Sequence, residues 1–189
     1  RITYNSKLTT HNPNSPLSYP TPSEYQDALQ APASAFADPE LQAATPRTNV
    51  LGLPQPITGA FAAVFPMTTE QGATVAVKGF LQAVEDQQER YDAIADHLQA
   101  AELDATVAFD YQASGIRVHG TAYPLLKMEW VDGTTLRRFV EAHRDEPEVL
   151  QVLAERWADT VASLEAATVA HGDLQHGNVL IEDTSDGPS

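Results

Sequence analysis

The sequence predicts an α+β fold, because strand-like and helix-like stretches occupy different parts of the chain. Apolar, β-branched segments dominate from residue 49 to about 80 and again from about 105 to 131. Amphipathic helical patterns lie between these segments and after them. The 189 residues are 42% hydrophobic, enough for a sizeable core. Since strands and helices do not alternate one by one, a doubly wound parallel sheet is not expected.

Composition restricts the partners and the compartment. The chain carries 11 basic and 26 acidic residues, a net charge of -15. Such a surface repels nucleic-acid phosphates and anionic lipid head groups, so neither nucleic acid nor membrane is an expected partner. The chain has no cysteine, which excludes disulfides, thiolate zinc sites and cysteine nucleophiles. No signal peptide or bilayer-spanning apolar run is recognised, and a cytoplasmic location is expected.

Residues 1–48 are predicted to form an arm rather than a packed domain. They are rich in Pro, Ser, Thr and Asn, as in "HNPNSPLSYPTPSEY", which is typical of extended chain with short helical pieces. Ser23 and Asp38 are candidate N-caps, and Pro39 suits a first helical position. We expect this arm to lie on a neighbouring surface.

The segment from residue 49 to residue 131 is predicted to contain strands before and after one helix. "NVLGLPQPITGAFAAVFPM" and "ATVAVKGF" indicate strand, turn and strand, and "ATVAFDYQASGIRVHGTAYPLLKMEWV" indicates two or three more, with turns near Ser114–Gly115 and Gly120. "VEDQQERYDAIADHLQAAEL" indicates a helix. Its apolar residues recur at helical spacing: Tyr91, Ile94, Ala95 and Leu98.

Two further helices, a polar loop and a strand complete the chain. "TTLRRFVEAH" predicts a short helix, and "EVLQVLAERWADTVASLEAATV" predicts a long one. The stripe around Trp157 on the long helix is interpreted as core rather than as a cofactor site. After "HGDLQHGN", the run Val179–Ile181 predicts a buried strand.

The loop from His171 to Asn178 carries groups suited to phosphoryl transfer. That reaction needs an acceptor that orients the attacking hydroxyl and ligands for Mg²⁺. Asp173 can serve as the first, and the side-chain oxygen of Asn178 as the second. Two alternatives stay open: an ordinary polar turn, or a metal site at His171 and His176, for which no third ligand stands at helical or hairpin spacing.

A second candidate is Lys78, which ends the strand "VAVK" far upstream. An isolated lysine closing a strand of small apolar residues tends to point into a cavity. Ala76 lies on the same strand face and leaves flat room for a ring. A point charge at this place suits phosphates.

These segments resemble the motifs of the protein kinase-like superfamily. "VAVK" resembles its lysine-bearing strand, "HGDLQHGN" its catalytic loop, "LLKMEWVDGTTL" its hinge with Met128 as gatekeeper, and "GAFAAV" half of its glycine-rich loop. The four motifs occur in kinase order, with Lys78 and Asp173 95 residues apart. The resemblance implies an N-lobe with an antiparallel sheet, one helix and the hinge over 49–131. It also implies a partial C-lobe over 132–189, with its first helices, the catalytic loop and one strand.

The resemblance also implies a role for each matching residue. Asp173 would orient the substrate hydroxyl, Asn178 would coordinate Mg²⁺, and Lys78 would hold the α- and β-phosphates of ATP. His171 would anchor the loop to the core. The remaining nucleotide contacts would come from the glycine-rich loop, the hinge backbone and the side chains around the ring: Gly59, Glu129, Val131, Val64, Ala76, Met128 and Leu180.

The chain departs from the family pattern in its loops. Gly59 is the one glycine kept in the glycine-rich loop, with Ile57 and Ala62 where the outer two are expected. Gly172 replaces the usual arginine, as it does in kinase-like enzymes that phosphorylate small molecules, such as aminoglycoside phosphotransferases.

Two acidic groups of the family pattern are also missing or displaced. Glu89 is the nearest candidate partner for Lys78, although it lies opposite the Tyr91 face of its helix, and Asp92 is next. The metal-binding Asp-Phe-Gly segment is absent, since Asp186 comes too early and fits a turn. The chain is therefore expected to be a fragment of a longer protein and inactive alone.

The expected function is ATP- and Mg²⁺-dependent transfer of the γ-phosphate to a protein Ser/Thr hydroxyl, of the bacterial or archaeal kinase type. One alternative is a small-molecule phosphotransferase, of the aminoglycoside or choline kind. Another is a nucleotide-binding pseudokinase or scaffold. In all three, the partners are a nucleotide and an unidentified protein or small molecule.

Overall fold

A computed structural model describes residues 18–172, 174–184 and 187–188. The described chain divides into two compact units, and the division falls inside one helix at Ala95. The sheet unit comprises residues 18–95 and 108–130, and the helical unit comprises residues 96–107 and 131 onward. Each unit is described by itself. The mixture of an antiparallel sheet and several helices confirms the predicted α+β class.

Six strands form the sheet, and every pairing between them is antiparallel. The order is β1-β3-β4-β6-β5, with β2 also paired to β3. The strands are β1 (Thr45–Pro46), β2 (Ile57–Thr58), β3 (Ala62–Thr68), β4 (Thr74–Phe80), β5 (Phe109–Val118) and β6 (Thr121–Glu129).

The turns of the sheet follow their local sequence, with one exception. His119 (φ 48°) and Gly120 (φ 83°) form the two-residue loop between β5 and β6, and two positive φ angles are those of a type I′ turn. The turn predicted at Ser114–Gly115 is wrong. β5 runs through it with a register shift between Gln112 and Ile116. A Cβ on Gly115 would lie 2.6 Å from the Leu125 side chain, so the glycine permits a close approach here rather than a turn.

Three short helices precede the sheet, in the stretch predicted to be an arm: α1 (Pro22–Ala28), α2 (Pro32–Ala35) and α3 (Pro39–Ala43). Thr21 caps α1 through a capping box with Glu24, in place of the predicted Ser23. Asp38 caps α3 and Pro39 occupies its first turn, as predicted.

The described part of this arm contributes a large share of the core. Its apolar side chains are fully buried in one cluster with side chains of the sheet. The arm supplies Tyr25, Leu29, Phe36 and Leu41, and the sheet supplies Phe65, Met67, Val77 and Leu125. The segment expected to lie as a tail on a neighbouring surface is thus packed into the sheet unit.

A polar network ties the arm to the sheet at Asp38. Its carboxylate accepts hydrogen bonds from Lys127 Nζ at 2.7 Å, from Gln112 Nε2 at 3.0 Å and from the Glu40 backbone N–H at 2.8 Å. Burial raises the pKa of Asp38, but the hydrogen bonds from Lys127, Gln112 and Glu40 outweigh it and hold the pKa below its ordinary value. The charged Lys127 of β6 therefore holds the N-terminus of α3 against the sheet.

Gly79 allows the arm to pack directly on β4. The Tyr25 hydroxyl donates to the Phe80 carbonyl at 2.7 Å, and a Cβ on Gly79 would lie 2.8 Å from the Tyr25 ring. We expect Gly79→Ala to lower the free energy of unfolding by about 1–3 kcal/mol through overpacking, measured by urea denaturation. Gly59→Ala is the control, since its Cβ would meet only Ala62 O at 3.8 Å. Equal stability of the two variants would contradict this packing.

Helix α4 (Gln87–Ala101) follows β4, and its first nine residues belong to the sheet unit. Tyr91 lies at the centre of an aromatic cluster: its ring stacks on Tyr111 at 5.4 Å between centroids and packs 5.7 Å from both Phe80 and Phe109. Leu126 of β6 is buried in the same cluster. This side of the sheet is opposite to the one covered by the arm, because neighbouring residues along a strand face opposite sides.

The helical unit is built around the predicted amphipathic stripe. Its secondary structure comprises β7 (Thr134–Thr135), α5 (Leu136–Ala142), α6 (Pro147–Ala166), β8 (Leu180–Ile181) and a hairpin of β9 (Asp183–Thr184) and β10 (Gly187–Pro188). Phe139, Leu153, Val179 and Ile181 are buried together with Trp157 packed against them, so the prediction that Trp157 belongs to a core is confirmed. Among the described residues, no helix is both long and apolar enough to cross a membrane.

Candidate functional site

Four of the predicted site residues share one face of the sheet. Residues directly opposite in an antiparallel pair point to the same side. Lys78 of β4 is opposite Val64 of β3, and Ala76 is opposite Met128 of β6. Because Ala76 and Lys78 are two residues apart on β4, all four side chains lie on the face that also carries Phe80.

Lys78 is buried on this face, with 7% of its surface exposed. Burial lowers the pKa of its ammonium to about 8, because removal from water disfavours the charged form. A buried ammonium is stabilised by an anionic ligand such as a phosphate. The predicted contact of Lys78 with phosphates stays a prediction.

The glycine-rich segment forms a tight connection between β2 and β3. Gly59 N–H donates to Ala62 O at 2.9 Å, and Ile57 is opposite Val64 in the strand register. Ile57 therefore lies on the Lys78 face, and 57% of it is exposed. An exposed apolar side chain beside Val64 suits contact with a flat ring. The sequence interpretation treated Ile57 only as a missing glycine and did not predict this placement.

The hinge residues fall in both units. Glu129 ends β6 in the sheet unit, where its backbone N–H donates to Ala108 O at 3.2 Å. The backbone N–H of Glu129 is therefore already hydrogen-bonded within the sheet unit. Val131 is buried and belongs to the helical unit.

Glu89, the candidate partner of Lys78, is exposed on α4. The side of α4 that is buried carries Gln87, Tyr91 and Leu98. Two residues correspond to about 200° around a helix, so Glu89 lies on nearly the opposite side from Gln87. The aromatic cluster around Tyr91 occupies the sheet side, and sequence reasoning did not predict that arrangement.

The predicted catalytic loop lies in the helical unit, and Asp173 falls outside the described residues. His171 is buried, with 8% exposed, and Val179 is buried in the core of the unit. Between them, the Asn178 N–H donates to Gln175 O at 2.8 Å and closes a turn. The loop is fixed at its end because the Leu136 N–H donates to Val179 O at 2.9 Å.

The strand after the loop is held by β7, where Leu180 is opposite Thr135. Leu180 is half-buried. A Cβ on Gly133 would lie 2.8 Å from the carbonyl oxygen of Ile181, so only glycine allows the two strands to approach this closely.

We expect Gly133→Ala to destabilise this pairing by about 1–3 kcal/mol, because a backbone atom must move. Hydrogen exchange of the β8 amides measures the effect locally. Gly177→Ala is the control, since nothing lies within 4 Å of its Cβ position. Unchanged protection of β8 in Gly133→Ala would show that the close approach is not required.

Metal ligands are scarce in the described part of the chain, where no group of three or more His, Cys, Asp or Glu side chains could hold an ion. The half-buried amide of Asn178 remains the described candidate, and its oxygen is a neutral, hard ligand of the kind Mg²⁺ accepts. His176, one of the two histidines of the alternative metal site, is exposed.

Comparisons with known proteins add no assignment. No protein-family model matches the chain, and no match is found among curated proteins. The roles of the site residues therefore remain predictions.

Proposed function

We propose that this chain belongs to an ATP- and Mg²⁺-dependent, kinase-like phosphotransferase that acts on a Ser/Thr hydroxyl of a protein. The kinase-like fold, the nucleotide and the metal are all part of this proposal. The observation that carries it is the buried Lys78 on a sheet face shared with Val64, Ala76 and Met128. All four residues belong to the segments that resemble the nucleotide-binding motifs of the kinase-like superfamily.

Two features of the sheet face support the nucleotide part of the proposal. A half-buried Val64 and a buried Ala76 provide apolar contact for a base, and the ammonium of Lys78 provides charge for phosphates.

The loop of the helical unit supplies the groups proposed for the transfer step. The Asp173 carboxylate would accept the proton of the attacking hydroxyl as the new P–O bond forms and the bond to the leaving diphosphate breaks. The Asn178 amide would hold Mg²⁺, whose positive charge supplies stabilisation of the phosphate oxygens. The turn closed by the Asn178 N–H and the buried Val179 would keep the Asn178 side chain in position.

Calorimetric titration of this chain with ATP, with and without Mg²⁺, tests the nucleotide part of the proposal. We expect saturable binding that tightens with Mg²⁺, and weaker binding of AMP. Phosphate transfer is measured with the full-length protein, using its own Ser/Thr residues or a generic protein acceptor and labelled ATP. Absence of ATP binding would overturn the proposal.

The pseudokinase alternative is favoured by one specific observation: the carboxylates of α4 between Gln87 and Leu98, which are Glu89, Asp92 and Asp96, are all exposed. Binding of ATP that does not depend on Mg²⁺, with no transfer by the full-length protein, would support this alternative. Gly172 in place of arginine favours the small-molecule class, for which transfer to an aminoglycoside or choline but not to a protein is the distinguishing result.

A further inference from the structure

The connection between β1 and β2 forms a short hairpin of residues 47–55, here called the edge hairpin. The Asn49 N–H donates to Leu53 O at 2.9 Å. The Gln55 N–H donates to Arg47 O at the same distance. Strands β1 and β2 both pair with the side of β3 that is not paired with β4, so the edge hairpin lies at this edge of the sheet.

The backbone of the edge hairpin is fixed at both its tip and its base. At the tip, the side-chain oxygen of Asn49 accepts from the N–H groups of Leu51 and Leu53, at 2.9 and 3.1 Å. At the base, Pro54 is fully buried and its carbonyl accepts from Gln26 Nε2 at 2.7 Å. A surface that is held in one conformation before binding loses little conformational entropy when a partner docks on it.

The tip of this fixed hairpin is apolar and lies in water. Val50 is fully exposed, and Leu51 is 77% exposed. Turns usually carry Gly, Pro, Asn, Asp or Ser at such positions. Two adjacent aliphatic side chains contribute no burial to the described fold here, and contact with a partner would remove them from water, which is favourable.

The charge around the tip distinguishes between the possible partners. Thirteen residues from Gln42 to Ala60 are exposed, and none of them is Asp or Glu. The chain as a whole carries 26 acidic residues and a net charge of -15. Two copies of so acidic a chain repel each other wherever their carboxylates meet, so copies can approach closely at a surface that lacks them. A neutral or basic partner would not require this absence of carboxylates.

We propose that the edge hairpin is a surface for self-association, where Val50 and Leu51 of one copy pack against the same residues of a second copy about a two-fold axis. Two side chains per copy bury much less than the roughly 800 Å² that each partner of a standard interface contributes, so the dimer is weak and reversible. This inference is independent of the proposed nucleotide site.

Sedimentation equilibrium at several protein and NaCl concentrations tests the proposal. We expect a reversible dimer whose Kd falls several-fold between about 0.05 and 0.5 M NaCl, because salt screens the repulsion between two acidic copies. The double variant Val50→Ser/Leu51→Ser should raise the Kd at least about 10-fold, since a few central side chains carry most of the binding energy. Val140→Ser/Val152→Ser replaces two exposed valines of α5 and α6, and this matched control should dimerise as the wild type does.

Four results would overturn the proposal. The first is a chain that stays monomeric at every protein and salt concentration, and the second is a dimer that Val50→Ser/Leu51→Ser forms as readily as the wild type. The third is a dimer that weakens as salt is added, which would indicate ion pairs. The fourth is binding of monomeric wild type to phosphatidylcholine vesicles that is lost in the double variant, which would assign the tip to lipid.

A second variant keeps the test decisive. Leu51→Asp adds a carboxylate to the tip of each copy, so its dimer should be lost at low salt and partly restored at high salt. Melting temperatures confirm that each variant folds, and Leu51→Asp decides the matter if the double variant does not fold.

Discussion

Replacing Lys78 by methionine is expected to weaken ATP binding about 10- to 100-fold, because a charge-assisted hydrogen bond to phosphate is lost. The same variant is expected to be more stable than the wild type when no ligand is present. A buried lysine with a pKa of about 8 in the folded state and about 10.4 in the unfolded state destabilises the fold below pH 8 by up to about 3 kcal/mol.

The direction of the pH dependence follows from proton binding. Between about pH 8 and 10.4 the unfolded wild-type chain binds more protons at this side chain than the folded chain, so the stability contributed by Lys78 rises with pH. Urea denaturation of the wild type and Lys78→Met across this range gives the difference that isolates Lys78. Parallel curves for the two proteins would contradict the burial of its charge.

Lys127→Met is a control variant, for which the expected change in stability has the opposite sign. Burial lowers the pKa of Lys127, but its hydrogen bonds to Asp38 and Glu40 outweigh this and raise the pKa above its ordinary value. Removing this lysine should therefore destabilise the fold, and should leave ATP affinity unchanged because Lys127 is on the arm side of the sheet, opposite Val77.

Asp173→Ala is expected to reduce phosphate transfer by the full-length protein by about 10²- to 10⁴-fold, the range attributed to a positioned general base. The Kd for ATP should change less than about threefold, because this carboxylate is proposed to meet the acceptor hydroxyl rather than the nucleotide. Single-turnover transfer from labelled ATP measures the first quantity and calorimetry the second.

Asp159→Ala removes an exposed carboxylate of α6 and serves as the matched control for net charge. It should transfer phosphate at the wild-type rate. Full turnover by Asp173→Ala would remove Asp173 from the reaction and with it the proposed kinase-like mechanism.

Periodicity and turn chemistry were sufficient to predict most of the elements. The alternation in "ATVAVKGF" and the stripe around Trp157 each gave an element of the correct type, because local pattern and burial agree there. Lys78 and Met128 were recognised as site residues from motifs. Their common face depends on the strand register, which the structure gives and which the resemblance only implied.

Other features depend on contacts between distant residues, and local sequence does not reveal them. Tyr25 and Leu29 lie among prolines and polar residues that indicate a tail, yet they pack on a sheet whose strands follow 30 to 100 residues later. Gln87 is an ordinary polar residue at a helix start, and only its burial distinguishes it from the exposed Gln88. Glycine is common in turns, so the residue type at position 115 suggests one. The close approach of the Leu125 side chain instead requires a glycine inside β5, where the register shifts.

The hydrogen bond from Tyr25 to the Phe80 carbonyl has a consequence for how this protein can be divided. The stretch that resembles the kinase-like superfamily begins at residue 49, and a shortened gene starting there would encode all four motifs. Its product would nonetheless expose Phe65, Met67 and Val77 to water, because the side chains that cover them come from upstream. The smallest part of the chain that can fold alone is therefore larger than the stretch that carries the motifs. A fragment that contains the lysine-bearing strand must also contain the arm.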